Sequence, residues 1–388
     1  MSRYHGYLKT AATALTNYSG ESPLSHYLKS FFALRKQMGS RDRRMVAGLC
    51  YAFFRLGRYC SQLPVEDRLL LAAHLPGIWP ADALLAIAVD WRELQAAGVH
   101  LPEPARDADQ LFAKRQWLSK GMEIGKLAAA MLQQPALFLR LRPGGEKAAE
   151  QWLQQRGIPF ARLGNSCLQL PNGAQLTGFE LNNWAVVQDA SSQQTGHLLL
   201  RWLQKHQLLL PGRVWDCCAA SGGKSIMLLD QVPQVSLTVS DIRPSILHNL
   251  QQRFAAAGLP RPASALLDLE QEPALPWKKP FDLVLADVPC SGSGTWARTP
   301  EQRTFFKEEL LQVFHEKQYR IAACAGRALP PGGLLFYITC SVFAMENEAV
   351  VERLCNNGAF VPLEQQMIDG TGLAADSMFV ALLQKQSA

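Results

Sequence analysis

From about residue 185 the chain alternates two kinds of apolar pattern, and that alternation leaves few architectures open. Short runs that suit strands (RVWDCC, SLTVSD, ASALLD, FDLVLAD and LLFYITC) are interleaved with stretches of helical period. These are a helix from Lys224, PSILHNLQQRFAAAG, and a helix near 307–328. Strand-then-helix repetition predicts an α/β fold with a doubly wound, mostly parallel sheet covered by helices. Ligands in such sheets bind outside the carboxyl ends of the strands. The loops that leave the strands are therefore where chemistry is expected.

Upstream the pattern differs. Residues 1–130 read as helices: SHYLKSFFALRKQ and RDRRMVAGLCYAFFRLGRYC place apolar residues at helical intervals with basic residues between them. Ser40 is the expected cap of the second, with Asp42 in its first turn. Residues 135–185 read as a small α/β module, with ALFLRLRP, FARL and CLQL as strands and EKAAEQWLQQRG as a helix. A chain of 388 residues is long enough for more than one core. The division expected is 1–130, 135–185 and 186–388.

Charge separates these parts. Residues 1–60 hold ten Lys/Arg against Glu21 and Asp42, or +8, whereas the whole chain is +6, which leaves −2 for the rest. A basic helical module beside a near-neutral one fits a polyanion-guiding domain joined to a catalytic one; a solvated helical surface is the plainer alternative. Nine cysteines with no C-x-x-C pair argue against a disulfide framework or a thiolate zinc site and favour a reducing cytosol. The eight histidines show no ligand spacing, so no metal is expected. No run of 18 apolar residues predicts a membrane span, and the start MSRYHGYLKT lacks a secretory apolar core.

Three loops carry the candidate chemistry. In VWDCCAASGGKS a strand ends near Asp216, and the small residues Ala219, Ala220, Gly222 and Gly223 let backbone approach a ligand before a new helix N-terminus. Asp241 closes SLTVSD, where an acid accepts hydrogen bonds from a ribose diol. Asp268 closes the next run and is placed to meet an adenine amino group. Together these point to an adenosine-bearing cofactor, against the alternative of a tight turn and surface acids. Gly223-Lys224-Ser225 also matches the end of a phosphate-binding loop, but Cys218 stands where that motif needs its first glycine.

The other two loops are DVPCSGSGT, with Asp287 and Cys290, and ITCSVFAMENE, with Cys340. A lone free cysteine is usually a small buried hydrophobe. Two cysteines in polar loops at adjacent strand ends can instead share a pocket. Such a pair suits methylation of cytosine carbon 5, itself a poor nucleophile. Thiolate addition at carbon 6 turns the ring into an enamine, and a carboxylic acid near ring nitrogen 3 stabilises the developing charge. Cysteine fits because thiolate is accessible near neutral pH and is also a workable leaving group. An amino-group methyltransferase would carry an aromatic residue, for base stacking, at the position of Cys290.

These stretches, with WAVVQDASSQQTGHLL and the Arg298 and Pro300 that follow the second loop, resemble the Nop/Sun family of RNA cytosine carbon-5 methyltransferases. In layout they are closest to its bacterial Sun (Fmu) ribosomal RNA type. The resemblance covers residues 135–350, with the helical part similar to a NusB-like RNA-binding domain. It implies a Rossmann-like class I methyltransferase sheet over 186–388 and S-adenosyl-L-methionine as cofactor, held by Cys218, Ala219, Ala220, Ser221, Gly222, Gly223, Lys224, Asp241, Asp268 and Asp287. It implies Cys340 as nucleophile, Cys290 as the thiol that helps release product, Asp287 at the cytosine edge and Lys224 organising the pocket. Gln188-Asp189 would support the lead into the catalytic domain. Apart from the resemblance, the tryptophans read mostly as core or loop packing, with Trp296, in the active-site loop, a candidate RNA contact. The implied partner is RNA, with ribosomal RNA favoured and transfer RNA the alternative, and the chain is expected to be a cytoplasmic monomer. Ser221 departs from the family's proline, which predicts a less rigid turn, and Ile246 departs from a common arginine. A non-catalytic RNA-binding factor on the same fold is the competing expectation.

Overall fold

The computed structural model describes residues 2–387, which form two compact units. The first comprises residues 2–118, 122–135 and 295–307. Its helices include Arg3–Thr16, Leu24–Ala33, Ser40–Arg55, Val65–Ala73 and Ile124–Met131. The spacing of Leu24, Leu28, Phe31 and Phe32 puts one apolar stripe into a core with Ala11, Ala14, Val46, Leu49 and Leu69. Gly39, not Ser40, is the N-cap of Ser40–Arg55, and the Asp42 carboxylate accepts from the Gly39 N–H at 3.2 Å. A glycine cap leaves that work to the acid three residues on.

Residues 295–307, which the chain pattern assigns to the 186–388 domain, group with the helical unit because their large side chains are buried there. Trp296 is 1% exposed and packs against Phe112 and Phe306, each with ring centroids 5.3 Å away, so it is core rather than an RNA contact. Arg303 donates to the carbonyls of Phe112 and Gln110, and burial pulls its guanidinium down to about 9. Arg55 donates to the carbonyls of Met131, Gln133 and Ala297 at 3.0, 2.7 and 2.8 Å. One of the ten basic residues counted in the N-terminal segment is thus interior. Arg43 is also engaged, spanning the carbonyls of Met38 and Arg35, whereas Arg41 and Arg44 are exposed.

The second unit holds two sheets. Strands β1 (Leu137–Leu141), β2 (Ala161–Leu163), β3 (Cys167–Leu170) and β4 (Ala185–Val187) form a small antiparallel sheet in the order β2-β3-β1-β4. Arg140 and Arg142 converge on Asp230 at 2.6 and 2.9 Å, a buried cluster tying this sheet to the helix Gly223–Gln231.

Strands β5 (Arg213–Asp216), β6 (Ser236–Asp241), β7 (Ala263–Leu266), β8 (Leu283–Asp287), β9 (Leu334–Thr339), β10 (Phe360–Ile368) and β11 (Met378–Lys385) form the large sheet, in the order β10-β11-β9-β8-β5-β6-β7. From β9 to β7 the pairs are parallel, while β11 pairs antiparallel with both β9 and β10. All six residues of LLFYIT are buried, as expected of a strand covered on both faces. Alternate residues serve opposite layers. Val214, Leu285 and Phe336 face the helices Ala190–Lys205 and Gly223–Gln231, whereas Trp215, Val284 and Tyr337 face Leu310–Gly326 and Glu348–Asn356. Chain order reverses at β5, which lies between β6 and β8, and this switch point opens the crevice where the loops meet.

Candidate active site

The loops leaving β5, β6, β7, β8 and β9 border one cleft of about 450 Å3. Cys218, Ala220, Asp241, Asp268, Asp287, Cys290 and Cys340 all line it. Ala219, Ser221, Gly222 and Gly223 form the turn beside it, and Lys224 reaches it through Asp287.

That turn is tightly built. Ala220 has φ +45° and Gly222 φ +82°, and the Ala219 N–H donates to the Ser240 carbonyl at 2.9 Å. A Cβ on Gly222 would lie 3.0 Å from Leu250 and 3.1 Å from Phe254, in a left-handed conformation that already disfavours side chains. Ser221 is held by Arg253, whose guanidinium donates to its carbonyl and its Oγ, both at 2.8 Å. The turn that lacks proline is therefore clasped from outside. Gly222→Ala is expected to destabilise the protein by about 1–3 kcal/mol and to weaken nucleoside binding in the cleft. Calorimetric titration with S-adenosylmethionine alongside a thermal melt checks both.

Asp241 is 6% exposed and accepts from the Ala220 N–H at 3.2 Å and from the Arg243 Nε at 3.0 Å. An arginine thus follows this acid at position 243, although 246 is isoleucine. Asp268 caps its own short turn by accepting from the Glu270 N–H at 3.1 Å. Gln188 accepts from Arg140 at 2.7 Å, and Asp189 caps Ala190–Lys205 through the Ser191 N–H at 2.9 Å.

At the cleft's other side Lys224 Nζ donates to Asp287 Oδ2 at 2.6 Å. Burial opposes the ammonium's charge, but Asp287, with Cys340 and Asp216 beyond it, more than offsets this and raises its pKa. Burial also pushes the Asp216 carboxyl up to about 7, against the Ser225 hydroxyl that donates to it at 2.6 Å.

The sulfurs of Cys290 and Cys340 lie 3.2 Å apart. The hydrogen bond to Cys340, burial, and the charges of Cys340 and Glu346 all push the Cys290 thiol well above its usual range. Gly294 lets these loops close. Its N–H donates to the Cys340 carbonyl at 2.9 Å, and a Cβ there would sit 1.9 Å from the Ser377 carbonyl oxygen.

Sequence reasoning gave no role to Glu346, Asn347, Ser291 or Ser341, which are buried among these loops. A signal was present: Glu346 is an acid directly after the apolar run VFAM, in a loop between a buried strand and a helix.

Residues 204–384 match the family described as 16S rRNA methyltransferase RsmB/F. The chain is 32% identical over 287 residues to a ribosomal RNA small subunit methyltransferase B of Xylella fastidiosa strain 9a5c, covering 71% of this chain and 64% of that protein. It is 32% identical over 227 residues to one from Xanthomonas campestris pv. campestris, covering 55% and 50%. It is 25% identical over 383 residues to one from Erwinia tasmaniensis, covering 84% and 85%. The chain thus spans only about half to two thirds of the first relatives it matches. Among solved structures, PH0851 superposes with a TM-score of 0.71 at 18% identity over 99% of both chains. NSun6 from Pyrococcus horikoshii with SFG gives 0.58 at 15% identity over 74% of this chain and 98% of that one. At such identities these two establish the fold alone, a doubly wound, mostly parallel sheet covered by helices.

Proposed function

We propose, from the match of residues 204–384 to the family described as 16S rRNA methyltransferase RsmB/F, that this chain methylates carbon 5 of a cytosine in small-subunit ribosomal RNA. The observation that carries this reading is the 3.2 Å approach of the Cys290 and Cys340 sulfurs in the cleft that the Lys224–Asp287 pair borders. A structural cysteine pair has no need of a charged lysine and a cleft beside it.

The residues present fit S-adenosylmethionine. The turn at Gly222 brings backbone close, Asp241 offers a carboxylate to a ribose, and Asp268 lies further along the same cleft. Bound there, the cofactor supplies an electrophilic methyl group. The chain's own residues do the rest. Cys340 adds as thiolate to cytosine carbon 6. Asp287 is assigned to the ring edge at nitrogen 3, where a proton from the Lys224–Asp287 pair neutralises the negative charge that addition places there. On release the carbon 5 proton is lost to water, the carbon 6–sulfur bond breaks, and Cys290, 3.2 Å from that sulfur, passes its proton to Cys340 and regains one from solvent.

Incubating the full chain with S-adenosylmethionine and unmodified transcripts of 16S rRNA and transfer RNA, followed by bisulfite sequencing, tests the reading. One protected cytosine in 16S rRNA is the expected result; protection only in transfer RNA would change the substrate. Micromolar cofactor binding is expected as well, and its absence would favour a non-catalytic RNA-binding role. The exposed Arg41 and Arg44 are assigned to phosphate contact. Changing both to glutamine should weaken RNA binding and lower the slope of log K against log salt by about 1 per lost contact. An unchanged slope in a filter-binding series would remove them from the interface.

A further inference from the structure

The two reactive loops share a single buried acid. Glu346 is 0% exposed, and its carboxylate is surrounded by donors from three places. Ser291 donates its N–H to Oε1 at 2.7 Å and its hydroxyl to Oε2 at 2.5 Å. Ser341 donates its hydroxyl to Oε2 at 2.5 Å. Gln318, from Leu310–Gly326, donates to Oε1 at 3.0 Å and also holds the Pro289 carbonyl at 3.0 Å. A buried carboxylate is tolerated only when its acceptor sites are filled, so these donors are obligatory partners.

Their positions matter. Ser291 directly follows Cys290, and Ser341 directly follows Cys340. Holding both serines on one carboxylate therefore fixes the two backbone positions from which the sulfurs project. The acid is itself fixed: the Tyr337 hydroxyl donates to its backbone carbonyl at 2.6 Å. Its neighbour Asn347 accepts from Thr339 at 2.5 Å and donates to the Ser341 carbonyl at 2.9 Å. Ser293 completes the seam, with its Oγ 3.1 Å from that of Ser341 and accepting from the Val342 N–H at 2.9 Å.

We propose that Glu346 is a positioning residue that clamps the Cys290 and Cys340 loops together and so sets the separation of the two reacting sulfurs. Its role in turnover rests on the methyltransferase reading above, whereas its role in geometry does not. Glu346, Ser291 and Ser341 are not among the residues that line the cleft, so the acid acts through the serines. Loss of the clamp lets the loops part by a fraction of their present spacing, and misplacement of about 1 Å in a reacting group costs about 100-fold in rate.

The first test needs no RNA. Diamide oxidises the reduced full chain, the Cys290 and Cys340 thiols together giving up two protons and two electrons to the diazene as the disulfide forms. Peptide mass spectrometry then follows the Cys290–Cys340 linkage. Glu346→Ala is expected to crosslink about tenfold more slowly than the wild type, and Glu346→Gln, which keeps the shape, to recover part of the loss. Ser291→Ala with Ser341→Ala removes both hydroxyl donors and is expected to slow crosslinking too, which keeps the test open if Glu346→Ala does not fold.

The second test reads turnover. With 16S rRNA transcript, Glu346→Ala should lose about 100-fold in kcat with its affinity for S-adenosylmethionine unchanged; a merely structural role would lower melting temperature and cofactor affinity together. Wild-type crosslinking and wild-type kcat in these variants would overturn the clamp. A wild-type chain that crosslinks quickly yet methylates no RNA would end the methyltransferase reading and leave the clamp standing.

Discussion

Cys340→Ala is expected to abolish RNA methylation, with turnover falling at least about 10⁴-fold, as when a covalent nucleophile is removed. Carbon 5 of cytosine becomes reactive only after addition at carbon 6, and no nearby group replaces the missing sulfur equally well. Cys290 is 3.2 Å away, but its proton is held by the hydrogen bond to its neighbour, by burial and by adjacent negative charge. Cys340 lines the cleft, but the turn at Gly222, Asp241 and Asp268, which are assigned to the cofactor, stay in place, so S-adenosylmethionine should still bind Cys340→Ala. Loss of methyl incorporation with cofactor binding retained is the expected pair of results. Near-normal incorporation would remove the covalent mechanism.

Cys290→Ala should fail differently. On the proposed mechanism addition through Cys340 still proceeds, but the thiol assigned to proton transfer at release is gone. A general acid or base contributes about 10²–10⁴-fold, so release slows by that order and an RNA–protein adduct accumulates. A denaturing gel should show a slowly migrating band that depends on RNA and disappears in the double variant with Cys340→Ala. A Cys290→Ala chain that turns over normally, with no such band, would strip Cys290 of its role.

Much of this site was legible in the sequence, for a physical reason. Strands buried on both faces must be apolar throughout, so LVLA and LLFYI stand out, and the polar loops after them are marked by contrast. Because β8 and β9 are neighbours in parallel register, the cysteines at their ends meet. The helices Glu146–Gln155 and Pro244–Ala256 were likewise visible from period alone.

What escaped depends on contacts that sequence spacing does not encode. Glu346 looks like a surface acid until the fold buries it among hydroxyls and an N–H. Arg55 adds to the positive count of its segment, yet three backbone carbonyls hold it in the interior. Trp296 follows the Cys290 loop in the chain but belongs to the core of the helical unit. Strand β10 reads FVPLEQQMI, with a proline and several polar residues; it lies at the sheet edge with an irregularity between Pro362 and Glu364, where a missing N–H is tolerated.

Peptide mapping of the RNA adduct trapped by Cys290→Ala tests most directly whether the sulfur at 340 is the nucleophile. The chain is incubated with S-adenosylmethionine and 16S rRNA transcript, digested with nuclease and protease, and read by mass spectrometry. A single modified cytidine on the peptide containing Cys340 is the predicted result. A nucleotide attached at any other residue, or no covalent nucleotide while 5-methylcytosine still forms, would contradict it.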